Sequence, residues 1–333
     1  MKKTLTLLLL FLFVVAGAVY LTTQKDTKTT VLTEERNFAV DNIDEVHKIF
    51  LADRDGNQVT LKRKNDDWQL NERYRANPNA VQNLLNTLEK VKIKYVPPRA
   101  ALQNIVRDIA TNNIKVEVYN ADNQKIKAYY VGGVTNDELG THMIMEDAEE
   151  PFVTYIPGFE GALRVRYATK ELAWRDKAIF REKINQIESV SVEYPKQKNK
   201  SFSIQKENGQ FTVKPFYDTT PTFDKVAPRG KIEQYLTNYE RLIAENFANT
   251  VEKRDSFEQL LPFSIVRLQR TGEAQKVVKF HPIIKQNDTG SIMVDDAGKA
   301  IIEKYYAERG EDFLLVQQLV FGKIFWGYES FFE

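Results

Sequence analysis

The sequence predicts an α+β fold: an N-terminal transmembrane helix followed by two tandem, duplicated modules, each an antiparallel meander plus amphipathic helices. Three observations predict it. A charge-free apolar run stands at the start, period-two runs bounded by turn residues fill the body, and the same order of runs and helical stripes occurs twice, from Phe38 and again from Phe180. The expected organisation is a tail at 1–3, a span at 4–23, a polar tether at 24–37, and modules at 38–179 and 180–333.

The stretch from Thr4 to Thr23 carries no charge, and at about 1.5 Å per residue it matches a hydrocarbon core of about 30 Å. Lys2 and Lys3 before it place the tail in the cytoplasm and the body on the periplasmic, external side of the cytoplasmic membrane. A cleaved signal peptide is the alternative, because Ala16-Gly17-Ala18 has the small-x-small form of a cleavage site. The apolar run continues through Val19, Tyr20 and Leu21, which favours an uncleaved anchor. The tether is polar and threonine-rich, without apolar periodicity.

In the first module Ile43-Asp44-Glu45-Val46 opens an alternating run from His47 to Ala52. The chain turns at 53–57 (DRDGN), returns through Val59-Thr60-Leu61 and adds a strand at Trp68-Gln69-Leu70. Asn77 is the expected N-cap of a helix with Pro78 at N1 and a stripe of Val81, Leu84, Leu85, Leu88 and Val91, stopped by Pro97-Pro98. A shorter helix around Leu102, Ile105, Val106 and Ile109 precedes strands at Ile114–Tyr119 and Lys125–Val131. The second module repeats this order. Ile184 and Ile187 open it, Val190, Val192 and Tyr194 alternate, and Phe202, Ile204 and Phe211–Val213 return after a lysine-rich turn at 195–200. Pro228 then precedes a helical stripe of Ile232, Tyr235, Leu236, Tyr239, Leu242 and Ile243. A short helix around Phe257, Leu260 and Leu261 leads to strands at Phe263–Gln269 and Lys276–Phe280. The aromatic run from Phe321 to Phe332 is expected to pack as the last element of this module, since exposing so many rings is costly.

Beyond Lys2 and Lys3 the chain holds 45 basic against 46 acidic groups, which argues against nucleic acid as a partner. With no cysteine, disulfides, thiolate metal sites, a cysteine nucleophile and an acylated cysteine are excluded. No cofactor motif is found. The DRDGN turn echoes a calcium loop, but its glycine falls too early and no glutamate closes the loop. Gly298-Lys299 lacks both the earlier glycine and the hydroxyl of a phosphate loop. Gly132-Gly133 reads as a bulge or turn needing positive φ. His47, His142 and His281 stand apart in sequence with no metal-ligand pattern. No metal site and no catalytic residue is assigned. The densest acidic patch, Glu146, Asp147, Glu149 and Glu150, reads as a solvated loop; two of these carboxylates in a cleft would permit hydrolysis.

The stretches YVGG at 130–133, LGTHMIME at 139–146, PFVTYIPGFEG at 151–161 and WRDKAIF at 174–180, with Trp68-x-Leu70 and the Asn77-Pro78 helix, resemble the uncharacterised bacterial family called domain of unknown function 4340, particularly its Bacteroidota versions. The resemblance covers about 43–250. It implies a single-pass envelope protein, in some cases encoded beside gliding-type ABC transporter proteins, and carries no established activity. Within its motifs, Phe159 in a tight turn and the triplet Trp174, Arg175 and Asp176 are candidate partner-binding residues, as is Trp326 in the C-terminal run. The expected function is a non-catalytic binding or scaffolding module, with ABC-type transporter subunits as the envelope partner. The alternative is an envelope hydrolase acting on glycan or peptide through Glu146 or Asp147.

Overall fold

The computed structural model describes residues 36–252 and 254–333. The predicted span at 4–23, and the tether up to residue 35, lie outside the described residues. Among the described residues no helix is long and apolar enough to cross a membrane. The chain is mixed α+β, with antiparallel sheets and few helices, and divides into two compact units between Asp176 and Lys177.

In the first unit alternation builds the sheet. Ile49 and Leu51 of β1 (Lys48–Asp53), Val59 and Leu61 of β2 (Gln58–Lys64), and Val116 and Val118 of β6 (Ile114–Tyr119) are all fully buried on one face, as period two requires. Their pairing is antiparallel, with Leu51 opposite both Val59 and Val116. The remaining strands are β3 (Asp67–Leu70), β4 (Tyr74–Arg75), β5 (Lys92–Tyr95), β7 (Lys125–Val134), β8 (Thr141–Met145) and β9 (Phe152–Tyr155). The sheet order is β4-β3-β2-β1-β6-β7-β8-β9-β5.

Helix α1 (Pro78–Lys90) joins the core through Val81, Leu84, Leu85 and Leu88, each worth about 1.5–3 kcal/mol of burial. Asn77 caps it, its side chain accepting from the amides of Asn79 and Ala80. Its far end differs from expectation. The helix stops at Lys90 and β5 follows at once, so the Pro97-Pro98 pair ends nothing. Pro98 stands instead at the start of α2 (Arg99–Asn112), where a missing N–H costs no helical bond. Of α2 only Ile109 is buried.

The second unit holds β10 (Ala178–Phe180), β11 (Ile187–Glu193), β12 (Phe202–Glu207), β13 (Gln210–Pro215), α3 (Arg229–Thr237), β14 (Leu242–Ile243), β15 (Asn246–Phe247), α4 (Arg254–Gln259), β16 (Ser264–Arg270), β17 (Lys276–Ile284), β18 (Ile302–Arg309), β19 (Asp312–Gln317) and α5 (Gln318–Phe321). Its main sheet runs β13-β12-β11-β16-β17-β18-β19-β15, while β10 pairs with β14. Apart from the extra β4, the two sheets follow one order of strands, each with a central antiparallel seam, β1 on β6 and β11 on β16.

The predicted stripe through Tyr239, Leu242 and Ile243 is not one helix. Helix α3 ends at Thr237, whose hydroxyl donates to the Gln234 carbonyl, and Asn238 caps it. Such local side-chain bonds compete with helix continuation. Leu242 and Ile243 then pair with β10. The C-terminal aromatics close the core, Phe331 lying edge-on to Phe202 at 4.9 Å with Phe321, Ile324 and Tyr328 buried around it.

Candidate functional site

Two segments far apart in sequence meet at the edge of the first sheet. The Asn77 amide donates to the Trp174 carbonyl at 2.6 Å, the Asp176 amide to the Arg75 carbonyl at 3.0 Å, and Ala76 bridges to Arg175. This lays 174–176 alongside β4 and so brings the Trp-Arg-Asp triplet to the Trp-x-Leu strand. Trp174 is the anchor: its ring is buried and its Nε1 donates to the Ala168 carbonyl at 2.7 Å, satisfying the one polar atom it takes out of water.

Around this anchor the surface is built from guanidinium groups and rings. The Arg175 guanidinium, buried with its residue, lies 3.7 Å from the centre of the Tyr74 ring, and that of Arg73 lies 4.9 Å from the same ring. Arg63 stands over Trp68 at 5.7 Å. Desolvated contacts of this kind reach about 2 kcal/mol, which helps carry a buried cation. Arg75 pairs with Asp67 at 2.7 Å and approaches Asp176 at 3.8 Å. Two grooves border the cluster. One, about 420 Å³, runs between the β2–β3 hairpin and α1; the other, about 300 Å³, runs along β3 and β4. Asn65, Asp67 and the partly exposed Trp68 line both. Asn65 turns the hairpin with φ 54°, a conformation asparagine tolerates better than most residues.

Against this geometry, a family model described as a domain of unknown function (DUF4340) matches residues 68–259. The chain belongs to this family. No curated protein and no solved structure matches it. The DUF4340 match begins at Trp68 itself and includes Tyr74 and the Trp174-Arg175-Asp176 triplet.

The other two sequence-predicted residues of this DUF4340 chain each pack against the core of their own unit. Phe159 packs against the first core beneath the Arg166 guanidinium, 4.2 Å from its ring centre. Trp326 packs in the second core against Tyr235 at 5.2 Å, its carbonyl accepting from the Tyr194 hydroxyl. The sequence marks Trp68 as a strand residue and as part of the family's Trp-x-Leu motif, but assigns no role to Arg63, Arg73, Tyr74 or Arg75. The cluster of cations and rings in 63–75 was the available signal.

The acidic loop offers little for acid–base work. Glu146 bonds to Lys125 and to Lys115, the latter at 2.9 Å, and these two ammonium groups hold its carboxyl below the usual range. A carboxylate so held cannot store a proton near neutrality. Asp147, Glu149 and Glu150 stand in solvent. Lys115 also reaches Glu117 at 2.8 Å, and Glu117 accepts from the Tyr119 hydroxyl.

Each unit also carries a histidine whose pKa is depressed by burial. For His142 the Gly133 backbone and Asp108 oppose that depression; for His281, which is fully buried, Glu308 opposes it from 3.5 Å. His47 is partly exposed beside the Glu45 carbonyl. Among the described residues no three His, Asp or Glu side chains gather so as to hold a metal. Gly132 and Gly133 sit at an irregularity in the β7–β8 register, as a bulge would, but neither has positive φ. The requirement is close approach: a Cβ on Gly132 would lie 2.5 Å from Ile109 Cγ1, and one on Gly133 would lie 2.7 Å from Asp108 Oδ2.

Proposed function

We propose that the protein is a non-catalytic binding module of the cell envelope, anchored through residues 4–23 with its body outside the cytoplasmic membrane. In this reading it is accessory to an ABC-type transporter, and the surface around Trp68 and Tyr74 carries its ligand. One observation carries the binding role: Arg63, Arg73 and Arg75 stand with Trp68 and Tyr74 on a surface bordered by two grooves, above the segment 174–176, which pairs with residues 75–77 and buries Trp174 and Arg175. Rings and guanidinium groups in a concave setting are typical of recognition surfaces. The commitment of Glu146 to two lysines and the solvation of Asp147 favour binding over hydrolysis. The anchor rests on the charge-free run of Thr4–Thr23 behind two lysines, and the transporter role on the family resemblance. We also infer that the two units descend from one duplicated module, a reading supported by their common strand order.

Crosslinking in native membranes followed by mass spectrometry tests this. Reproducible recovery of transporter subunits with the full chain is expected, reduced when Thr4–Thr23 is replaced by a cleavable signal. Recovery of no transporter subunit would overturn the accessory role. Protease treatment of intact spheroplasts should degrade the body, and its survival would overturn the external topology.

A further inference from the structure

The geometry points to the outer edge of β13 as an interface between two copies of this chain. Strands β12 and β13 are joined by Asn208-Gly209, both at positive φ, and pair in regular register, Glu207 opposite Gln210 and Gln205 opposite Thr212. In a two-residue hairpin the pair flanking the turn exchanges both backbone hydrogen bonds, and every second pair after it does the same. The Phe216 amide, donating to the Ser201 carbonyl at 3.1 Å, continues that alternation past the end of the strand. The amides and carbonyls of Phe211 and Val213 therefore point away from β12. No strand of the sheet lies on that side, since β13 is its outermost member.

Open edges pair with other chains unless they are short, charged, broken or covered. The other outer strands of the two main sheets are protected in these ways. Strand β4 has two residues and lies beside 174–176, β15 also has two, and β5 carries Lys92 and Lys94 with an irregular register. Strand β13 runs for six residues without a bulge; its one charge, Lys214, is paired with Glu207 at 2.8 Å, and its proline comes last. In the first unit β4 covers the edge of β3, which holds the same place in the strand order. Among the described residues the second unit has no such covering strand.

A second β13 matches this edge when Thr212 stands opposite its own copy across a twofold axis. Phe211 then faces the second copy's Val213 and the reverse, so that every outward amide of the two residues meets an outward carbonyl. A shift that centres the pair on Val213 sets Pro215 opposite the second copy's Phe211, whose carbonyl then finds no amide. The side chains agree with the register centred on Thr212. Phe211 and Val213 pack on the core side of the sheet, so their cross-pairing extends its apolar face. On the other side Thr212 meets Thr212 and Gln210 meets Lys214, with no like charges opposed. The strand is thus its own complement, which identifies the partner as a second copy.

The chain has no cysteine, so introduced ones report the contact. Opposed residues of a non-hydrogen-bonded pair stand about 4.5 Å apart at Cα, within the disulfide range of about 4.4–6.8 Å. Cells expressing the full chain are oxidised with copper phenanthroline, and disulfide-linked dimer is measured on non-reducing gels. Thr212→Cys should link to its own copy. Lys214→Cys alone should not, lying about 14 Å from its copy at about 3.4 Å per residue, but should link when co-expressed with a Gln210→Cys chain. Val213→Pro, added to Thr212→Cys, removes an outward amide and no bond within the chain; dimer yield should fall about tenfold while the thermal midpoint of the reduced protein is kept. Absence of dimer from Thr212→Cys, its linkage to a different protein instead, equal linkage by Lys214→Cys alone, or undiminished yield with Val213→Pro would each overturn the proposal.

Discussion

Replacing Gly132 by alanine should detach α2 from the first sheet. The added Cβ would lie 2.5 Å from Ile109 Cγ1, with the His142 carbonyl oxygen 3.3 Å away. Carbon atoms pack best at about 3.5–4.0 Å, so Ile109 must retreat by about 1 Å, at a cost of about 1–3 kcal/mol for an overpacked site. Ile109 is the only side chain α2 buries. The helix otherwise holds through the Asp108 carboxylate on the Gly133 amide at 3.2 Å, the Asn113 side chain on the Ile109 carbonyl, and Arg54 on the Ala110 carbonyl. The strain should therefore lift the helix rather than unfold the unit. Hydrogen exchange of peptides covering residues 99–113 should accelerate by about 5- to 150-fold, at tenfold per about 1.4 kcal/mol. Adding Ile109→Ala makes room for the new methyl group, so the two changes should be non-additive by about 1 kcal/mol or more. Unchanged exchange in α2, or simple additivity, would refute the close-packing account of Gly132.

Three further outcomes are expected. Asn77→Ala removes the cap of α1 and should cost about 1 kcal/mol, seen as a fall of about 2–4 °C in the thermal midpoint of the first unit. Burial lowers the pKa of His281 below its unfolded value of about 6.5, so its contribution to stability is present above that value and lost as pH falls through the folded one. Urea midpoints should fall between pH 7.5 and 5 in the parent chain, and less steeply in His281→Gln. The Tyr119 phenol is pushed up to about 12, chiefly by its hydrogen bond to Glu117 with burial adding to it. Ultraviolet titration of Glu117→Gln should return it toward the ordinary tyrosine range.

Local order was legible where one period held. Ile49 and Leu51, or Val190 and Val192, alternate because their strands bury one face, and Asn77-Pro78 starts a helix through capping chemistry confined to one turn. Tyr239, Leu242 and Ile243 misled because they match helical spacing, yet Tyr239 is buried in a turn and Leu242 in β14, where Ile243 is only half-buried. Burial alone does not say which element performs it. The partnership of β1 with β6 was not legible either, since alternation marks a buried face but not which strand lies alongside. At the candidate site Trp174, Arg175 and Asp176 were marked by their sequence, whereas Tyr74 and Arg75 sit in a two-residue strand too short to show a period. Phe159 and Trp326 carried an aromatic signal that the cores absorbed.

The central seams have a kinetic consequence. The β1–β2 and β2–β3 hairpins close locally, but β1 completes its pairing only with β6, after α1, β5 and α2 have been made. The second unit repeats the delay between β11 and β16. Closing so long a segment incurs an entropic cost before any contact rewards it, so formation of each seam should limit the folding rate. Until then the β1 edge, with Ile49 and Leu51 beside unpaired amides, is open to neighbouring chains. A chain emerging N-terminus first would hold that edge open longest, making it the step at which a holding chaperone would act.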